Sequence, residues 1–240
     1  MIKTVSTGDI TLQGQQAFSF FYLTEFLRFF ANFAFKPRKA MDTLKIWNDN
    51  PSDRQLDDII SVIDSGELVI LPTDTLYAIV CDALSPKAIE RLCRLKGINP
   101  EKTHLSIICT DISMAAEYAR IDNAAFKMLR NNTPGPFTFL FPSASSLPKV
   151  FKGRKIVGIR IPDCATDLRL VERLGRPLLT TSIEFDDDDY AINPELVAEA
   201  YDGRVALTVD GGDGDTEPST IVDCTNRDFE IIRQGKGELL

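Results

Sequence analysis

The stretch Leu68-Val-Ile-Leu-Pro-Thr-Asp-Thr-Leu-Tyr-Ala-Ile-Val-Cys-Asp82 decides the fold class of this chain. It begins with an apolar, β-branched run that stops at Pro72, and two threonines, an aspartate and a tyrosine follow at once. In open α/β proteins, buried strands of this kind end at the sheet edge where ligand crevices lie. Thr73, Thr75 and Tyr77 alternate, so an extended backbone would point all three to one face. The stretch predicts a small-molecule pocket at the end of a buried strand.

The remainder of the chain alternates helix and strand signals before it ends in a cluster of short strands. Ser52 and Gln55 have capping-box spacing ahead of a helix that closes at Gly66, and Ser85-Pro86 opens a helix that runs to about Lys96. Further helices are predicted to begin after Asp111, after Asp122, after Asp163 and at Pro194, and further strands at Leu105–Cys109, Phe137–Phe141, Ile156–Ile161, Leu178–Thr181, Ala206–Val209, Thr220–Val222 and Phe229–Ile232. This order predicts an α/β protein with a mixed, twisted, open sheet flanked by helices.

Composition narrows the class of protein. Five cysteines without CxxC spacing indicate neither a disulfide framework nor a zinc site, and they favour a reducing cytoplasm. A histidine metal cluster is excluded because His104 is the only histidine. The net charge of −8 argues against a protein that grips nucleic acid over its whole surface. Residues 85–160 nevertheless carry 13 basic and 5 acidic side chains. They either concentrate anionic ligands or form solvated helix faces.

The first forty residues differ from the rest. Phe18–Phe35 holds eight phenylalanines and is interrupted by Glu25 and Arg28. It lacks the clean apolar core of a signal peptide and the ~20 apolar residues of a membrane span. The sequence is compatible with a helix that lies in a membrane interface. We predict that the functional sequence starts at Met41, that residues 1–40 are either an unneeded extension or the result of a misassigned start, and that residues 41–240 form one domain without membrane contact.

Several polar residues stand inside or directly after apolar strands. Arg160 lies in an apolar strand, where a buried guanidinium is costly unless it meets an anion or a carboxylate. Lys96 ends a helix, where lysine either complements the helix dipole or grips phosphate. Thr180-Thr-Ser182 repeats the pattern of an apolar strand that runs into hydroxyls. With Arg233, these residues predict a cradle for a nucleotide or an acyl phosphate.

Seven blocks, in this order, resemble the YrdC/YciO-like family. They are Pro72–Tyr77, Lys96 with the loop that follows, Pro134–Thr138, Gly158–Pro162, Leu179–Ser182, Ser219–Ile221 and Arg233–Gly235. The resemblance covers residues 42–240 and implies a YrdC/RibB-like fold with a basic concave groove. It also implies synthesis of threonylcarbamoyl-AMP and pyrophosphate from ATP, L-threonine and bicarbonate, for the threonylcarbamoyladenosine modification of tRNA.

The resemblance implies a role for individual side chains. Thr73, Thr75 and Tyr77 would shape the threonine pocket. A second set would bind phosphates and carboxylates: Lys96, Thr138, Arg160, Ser182, Ser219 and Arg233. ATP would enter as a substrate with Mg²⁺, and Glu184 is the candidate metal ligand.

Two positions depart from the synthase pattern. Ile98 stands where the synthases carry the arginine of a Lys-x-Arg pair, which removes a charge-assisted phosphate contact of ~1.5–3 kcal/mol. Glu184 stands where they carry the asparagine of Ser-x-Asn, and it brings negative charge toward a triphosphate unless Mg²⁺ lies between. These departures resemble the YciO-type branch, so we expect weak or altered synthase activity. The alternative is a non-catalytic protein that binds double-stranded RNA or tRNA.

Overall fold

The computed structural model describes residues 42–100, 102–152, 155–183, 192–226 and 228–240. In this part of the chain, ten strands form one sheet in the order β1-β8-β2-β3-β7-β4-β6-β5-β9-β10. The strands are β1 (Asp42–Lys45), β2 (Val69–Leu71), β3 (Ala78–Asp82), β4 (Ser106–Ile108), β5 (Phe137–Pro142), β6 (Ile156–Arg160), β7 (Leu178–Ser182), β8 (Leu207–Asp210), β9 (Thr220–Asp223) and β10 (Glu230–Arg233). Four neighbouring pairs are parallel (β1–β8, β2–β8, β4–β6 and β5–β9), and the other five are antiparallel. The predicted mixed open sheet is confirmed.

Six α-helices flank the sheet within the described residues. They are α1 (Asp53–Asp64), α2 (Pro86–Lys96), α3 (Ile112–Tyr118), α4 (Asn123–Asn132), α5 (Ala165–Leu174) and α6 (Pro194–Ala200), with a short 3-10 helix at Lys149–Lys152. The capping box of α1 is present as predicted, because Ser52 Oγ accepts from the Gln55 amide and Gln55 Oε1 accepts from the Ser52 amide at 2.9 Å. Gly97 ends α2 in the left-handed conformation, at φ 64°. None of the described helices has the length and apolar character needed to span a bilayer.

The two faces of the sheet are covered differently. Side chains of α2, α3, α4 and α6 pack on one face in a core that includes Ile107 and Leu179. Side chains of α1 and α5 pack on the other face, against residues that include Ile108 and Leu178. Because alternate residues of a strand share a face, Ser106 and Thr180 lie on the α1/α5 face. That face therefore continues from an apolar region under two helices into a polar region over β4 and β7.

The chain does not stay extended after β2. Val69 pairs with Val80 in the antiparallel β2–β3 ladder, so residues 72–77 turn the chain back. Thr73 Oγ1 accepts from the Thr75 amide at 3.1 Å and donates to the Leu76 carbonyl at 2.8 Å, which closes this turn. The expectation that alternation places Thr73, Thr75 and Tyr77 on one face of an extended strand is wrong.

The start of α5 is capped from a distant part of the chain. The N-cap residue is Cys164, not the predicted Asp163, and its side chain makes no capping hydrogen bond. The carboxylate of Asp49 instead accepts from the amides of Ala165 and Thr166. The Asp163 cap prediction is therefore wrong, because a residue in the loop between β1 and α1 supplies the acceptor.

The predictions for residues 1–40 and for Glu184 lie outside the described residues and stay predictions.

Candidate functional site

A cavity of about 290 Å³ brings together residues that are far apart in sequence. All six residues predicted to bind phosphates or carboxylates line it: Lys96, Thr138, Arg160, Ser182, Ser219 and Arg233. The other lining residues are Ile98, His104, Ser106, Thr180, Thr181 and Ile221. Three permanent cations and a set of hydroxyls therefore face one space, and no carboxylate lines it among the described residues.

The register of the sheet explains this convergence. Ser106 pairs with Gly158 of β6 and with Thr180 of β7, and opposed residues of neighbouring strands point to the same face. Position 158, beside Ser106 in the sheet, has no room for a side chain. A Cβ there would lie 2.3 Å from Ser106 Oγ and 3.1 Å from Thr138 Cγ2, so only glycine leaves room for both hydroxyl side chains.

The buried arginine of β6 has an internal carboxylate partner. Arg160 Nη2 donates to Asp74 Oδ1 at 2.7 Å and to Thr75 Oγ1 at 3.0 Å. The side chains of Arg160 and Asp74 are 4% and 6% exposed, and Asp74 Oδ2 accepts from the Asp163 amide. Sequence reasoning foresaw that this guanidinium needs an anion or a carboxylate, but it missed Asp74, because an acid in a turn is usually a solvated residue. This ion pair links the turn after β2 to the cavity wall.

Lys96 connects the end of α2 to the end of β7. Its Nζ donates to the Ser182 carbonyl at 3.0 Å. The contact holds the ammonium group in the cavity wall, so the lysine does more than complement the dipole of its own helix.

A second group of contacts fixes the opposite wall. Thr138 Oγ1 and Ser219 Oγ lie 2.8 Å apart, and Arg233 Nη2 donates to the Ser219 carbonyl at 2.8 Å. A Cβ on Gly235 would lie 2.1 Å from the Pro218 carbonyl, so the chain after β10 passes directly over the residues before β9. These contacts orient Arg233 toward the hydroxyls of β5 and β9.

The predicted threonine-pocket residues lie outside this lining. Thr75 is 1% exposed and joins the cavity only through Arg160. Tyr77 donates its hydroxyl to the Gly212 carbonyl at 2.6 Å, and burial raises the pKa of this phenol to about 12. The structure therefore gives Tyr77 a contact with the loop after β8. A threonine-binding role for Thr73, Thr75 and Tyr77 stays a prediction.

The described residues offer no site for a resident metal. They contain no group of three or more His, Cys, Asp or Glu side chains that could hold an ion. The proposed ligand Glu184 is not among the described residues, so the Mg²⁺ site stays a prediction.

An ionisable side chain lies buried behind the cavity. Neither carboxylate oxygen of Asp167, on α5, has a hydrogen-bond partner within the described residues. Burial raises the pKa of Asp167 well above its usual value of 3.8, and the charge of Arg160 opposes this shift. Asp167 is therefore neutral over a pH range where an exposed aspartate is charged.

Two lining residues were not predicted from sequence: His104 and Ser106. Ser106 is the first residue of β4 and His104 lies in the loop just before it, whereas the pattern used to find candidates was a run of hydroxyls after an apolar strand. Only the parallel pairing of β4 with β6 shows that the start of β4 faces the same cavity.

Comparison with known proteins identifies the family of this chain. The Sua5/YciO/YrdC family model, described as "Telomere recombination", matches residues 61–235. The chain belongs to the Sua5/YciO/YrdC family. It is 30% identical over 194 residues to the Escherichia coli K12 protein named "Uncharacterized protein YciO", an alignment that covers 80% of this chain and 94% of that one. It is 31% identical over 185 residues to a Mus musculus protein named "Threonylcarbamoyl-AMP synthase", covering 73% of this chain and 65% of that one.

Solved structures of this family have the same fold. The crystal structure of E. coli YciO superposes with a TM-score of 0.77 at 30% identity, over 82% of this chain and 97% of that one. The Sua5 protein of P. abyssi, crystallised in complex with L-threonine, superposes with a TM-score of 0.73 at 25% identity, over 80% of this chain and 57% of that one. The family and the mixed α/β sheet predicted from the sequence are thus confirmed.

Proposed function

We propose that this protein is a threonylcarbamoyl-AMP synthase homologue of the YciO-type branch with weak or altered activity. Its substrates would be ATP, L-threonine and bicarbonate, and its products threonylcarbamoyl-AMP and pyrophosphate. The observation that carries this proposal is the convergence of Lys96, Arg160 and Arg233 with hydroxyls of three strands and of Ser219, just before β9, on one cavity. Its volume, about 290 Å³, is just below the ~300–1,000 Å³ found for small-molecule sites.

The chemistry of this reaction suits the residues present. The amine of threonine and bicarbonate form a carbamate with loss of water, and a carbamate oxygen then displaces pyrophosphate from the α-phosphorus of ATP. Such a reaction needs placement of the reactants and neutralisation of phosphate charge, and no covalent nucleophile. Lys96 and Arg233, on opposite walls, would bind phosphate oxygens. Arg160 has its Nη2 engaged with Asp74 and would mainly supply positive charge to the cavity.

The relatives support the substrate class. The mouse relative is named as a threonylcarbamoyl-AMP synthase, and the P. abyssi relative was crystallised with L-threonine. Mg²⁺ would enter with ATP as the counter-ion of its phosphates.

Release of pyrophosphate tests this function. Wild-type protein should release pyrophosphate only when ATP, L-threonine, bicarbonate and Mg²⁺ are all present. Lys96→Met should lower the rate about ten- to a hundredfold, because the lost charge-assisted contact is worth ~1.5–3 kcal/mol. Lys87→Met is the matched control, since Lys87 is exposed on the same helix and does not line the cavity. Pyrophosphate release that does not need threonine, or that is unchanged in Lys96→Met, would contradict the proposal.

Binding of double-stranded RNA or tRNA without chemistry is the second candidate function. It is supported by the excess of basic side chains in residues 85–160, which include α2 and β4 at the cavity. This function predicts an RNA affinity that falls steeply with salt concentration and does not depend on threonine. A cytoplasmic location is proposed for either function, and it is supported by the five cysteines, which are all free and buried.

A further inference from the structure

The sole histidine of the chain lines the same cavity as the predicted phosphate-binding residues. His104 is half-buried and lies two residues before Ser106, which also lines the cavity. The Gly158 amide donates to the Leu105 carbonyl at 2.9 Å, and Ser106 pairs with Gly158. The backbone next to His104 is thus held against β6, and the residue lines the cavity.

The groups that face His104 across the cavity favour an anionic ligand. The charged ones are Lys96 from α2, Arg160 from β6 and Arg233 from β10; the rest of the described lining is hydroxyl or apolar. Of these cations, Arg160 is partly neutralised by its ion pair with Asp74. Ile98, in the same loop as His104, is apolar and contributes no donor. A protonated imidazole would therefore add a fourth positively charged side chain to the described lining of the cavity.

We propose that His104 is an anion-binding residue of this cavity, and that it binds phosphate oxygens in its protonated form. This inference rests on the proposed function only in naming a nucleotide polyphosphate as the ligand. Anion binding by His104 itself requires no turnover. Protonation of His104 would make the charge of the cavity depend on pH. Lysine and arginine cannot do this near neutral pH, because imidazole is the side chain that titrates between pH 5 and 8.

The physical consequence is a pH-dependent affinity. An anion that binds the protonated imidazole more tightly must bind more tightly as the pH falls. The limiting dependence is about tenfold in Kd per pH unit above the point of half-protonation. Since the chain has one histidine, a histidine-dependent change between pH 5.5 and 8.0 can be assigned to His104.

Calorimetric titration with sulfate and with ATP at pH 5.5 and pH 8.0 tests the inference. Sulfate serves as the probe whose charge does not change in this range, and comparison with variants cancels the titration of ATP itself. Wild-type protein should bind sulfate about tenfold more tightly at pH 5.5 than at pH 8.0. His104→Gln should bind it weakly and equally at both pH values, and His104→Arg should bind at pH 8.0 as tightly as wild type does at pH 5.5.

The outcomes separate this inference from the proposed function. A His104→Gln variant that keeps the wild-type pH dependence, or a wild-type protein whose sulfate affinity does not change with pH, would overturn the role of His104. Sulfate binding that depends on His104, together with no threonine-dependent release of pyrophosphate, would support the role of His104 and count against the synthase function. Thermal melts of each variant show whether the fold is intact, and His104→Gln carries the test alone if His104→Arg does not fold.

Discussion

At the scale of single residues, the site depends on charges that the protein has partly neutralised itself. Arg160 and Asp74 form an almost fully buried ion pair, so neither side chain can be removed without leaving the other uncompensated. Lys96, in contrast, is half-buried and donates to the Ser182 carbonyl, outside this buried ion pair. Replacement of Lys96 is therefore the better test of ligand binding, and replacement of Arg160 is a test of stability.

Arg160→Ala should destabilise the protein strongly. Removal of the guanidinium leaves Asp74 buried and unpaired, which costs about 3–5 kcal/mol in the free energy of unfolding. Urea denaturation of Arg160→Ala, Asp74→Ala and the double variant measures this effect. The double variant should lose less than the sum of the two single variants, and simple additivity would mean that the two side chains are not coupled.

Asp167 should make stability depend on pH. Its pKa in the folded state lies above the usual 3.8, so the folded state holds the proton more tightly than the unfolded state does. The contribution of Asp167 to stability is therefore fully present below its unfolded-state pKa of 3.8, and it is lost as the pH rises through the folded-state pKa. Asp167→Asn mimics the protonated form, so its Tm should exceed that of wild type at pH 8 and approach it near pH 4. Asp163→Asn is the control, because Asp163 is exposed. If the Tm of wild type and of Asp167→Asn changed in parallel with pH, the proposed effect of Asp167 would be contradicted.

At the scale of helices and strands, the sequence predicted those helix ends that are fixed by contacts between neighbouring residues. The ends of α1 and α2 were predictable because Ser52, Gln55 and Gly97 act within one turn of their own helix. Strand β3 was missed because residues 73–77 were interpreted as extended chain, so no second strand was assigned after them. The turn between β2 and β3 was missed because it is closed by the Thr73 hydroxyl. The edge strand β1 is short and polar, and only its pairing with β8 identifies it as a strand.

The cap of α5 gives a prediction at the same scale. Asp49→Ala removes the acceptor of two helix amides and should lower the free energy of unfolding by ~0.5–2 kcal/mol. Asp163→Ala, at the position where sequence alone placed the cap, should have a smaller effect. Denaturant unfolding of both variants compares them directly. A larger loss in Asp163→Ala would show that the cap belongs to the local residue after all.

At the scale of the whole molecule, the sheet order creates the site. The lining residues extend from Lys96 to Arg233, and their proximity depends on β6 lying between β4 and β5. The resemblance to the family identified six of these residues, because the blocks occur in the family's order. It could not identify His104 or Ser106, which reach the cavity through strand pairing. A shared face for Thr73, Thr75 and Tyr77 was predicted from alternation in an extended strand, and the turn after β2 removes that basis. Their threonine-binding role rests on the family resemblance and stays a prediction.

The central claim is that this cavity binds a nucleotide through the charges of Lys96, Arg160 and Arg233. Calorimetric titration of ATP with Mg²⁺ into wild type, Lys96→Met and Lys87→Met tests it most directly. The account predicts saturable binding by wild type and Lys87→Met, and a Kd about ten- to a hundredfold higher for Lys96→Met. Absence of ATP binding in the wild-type protein, or equal affinity in Lys96→Met and wild type, would contradict it.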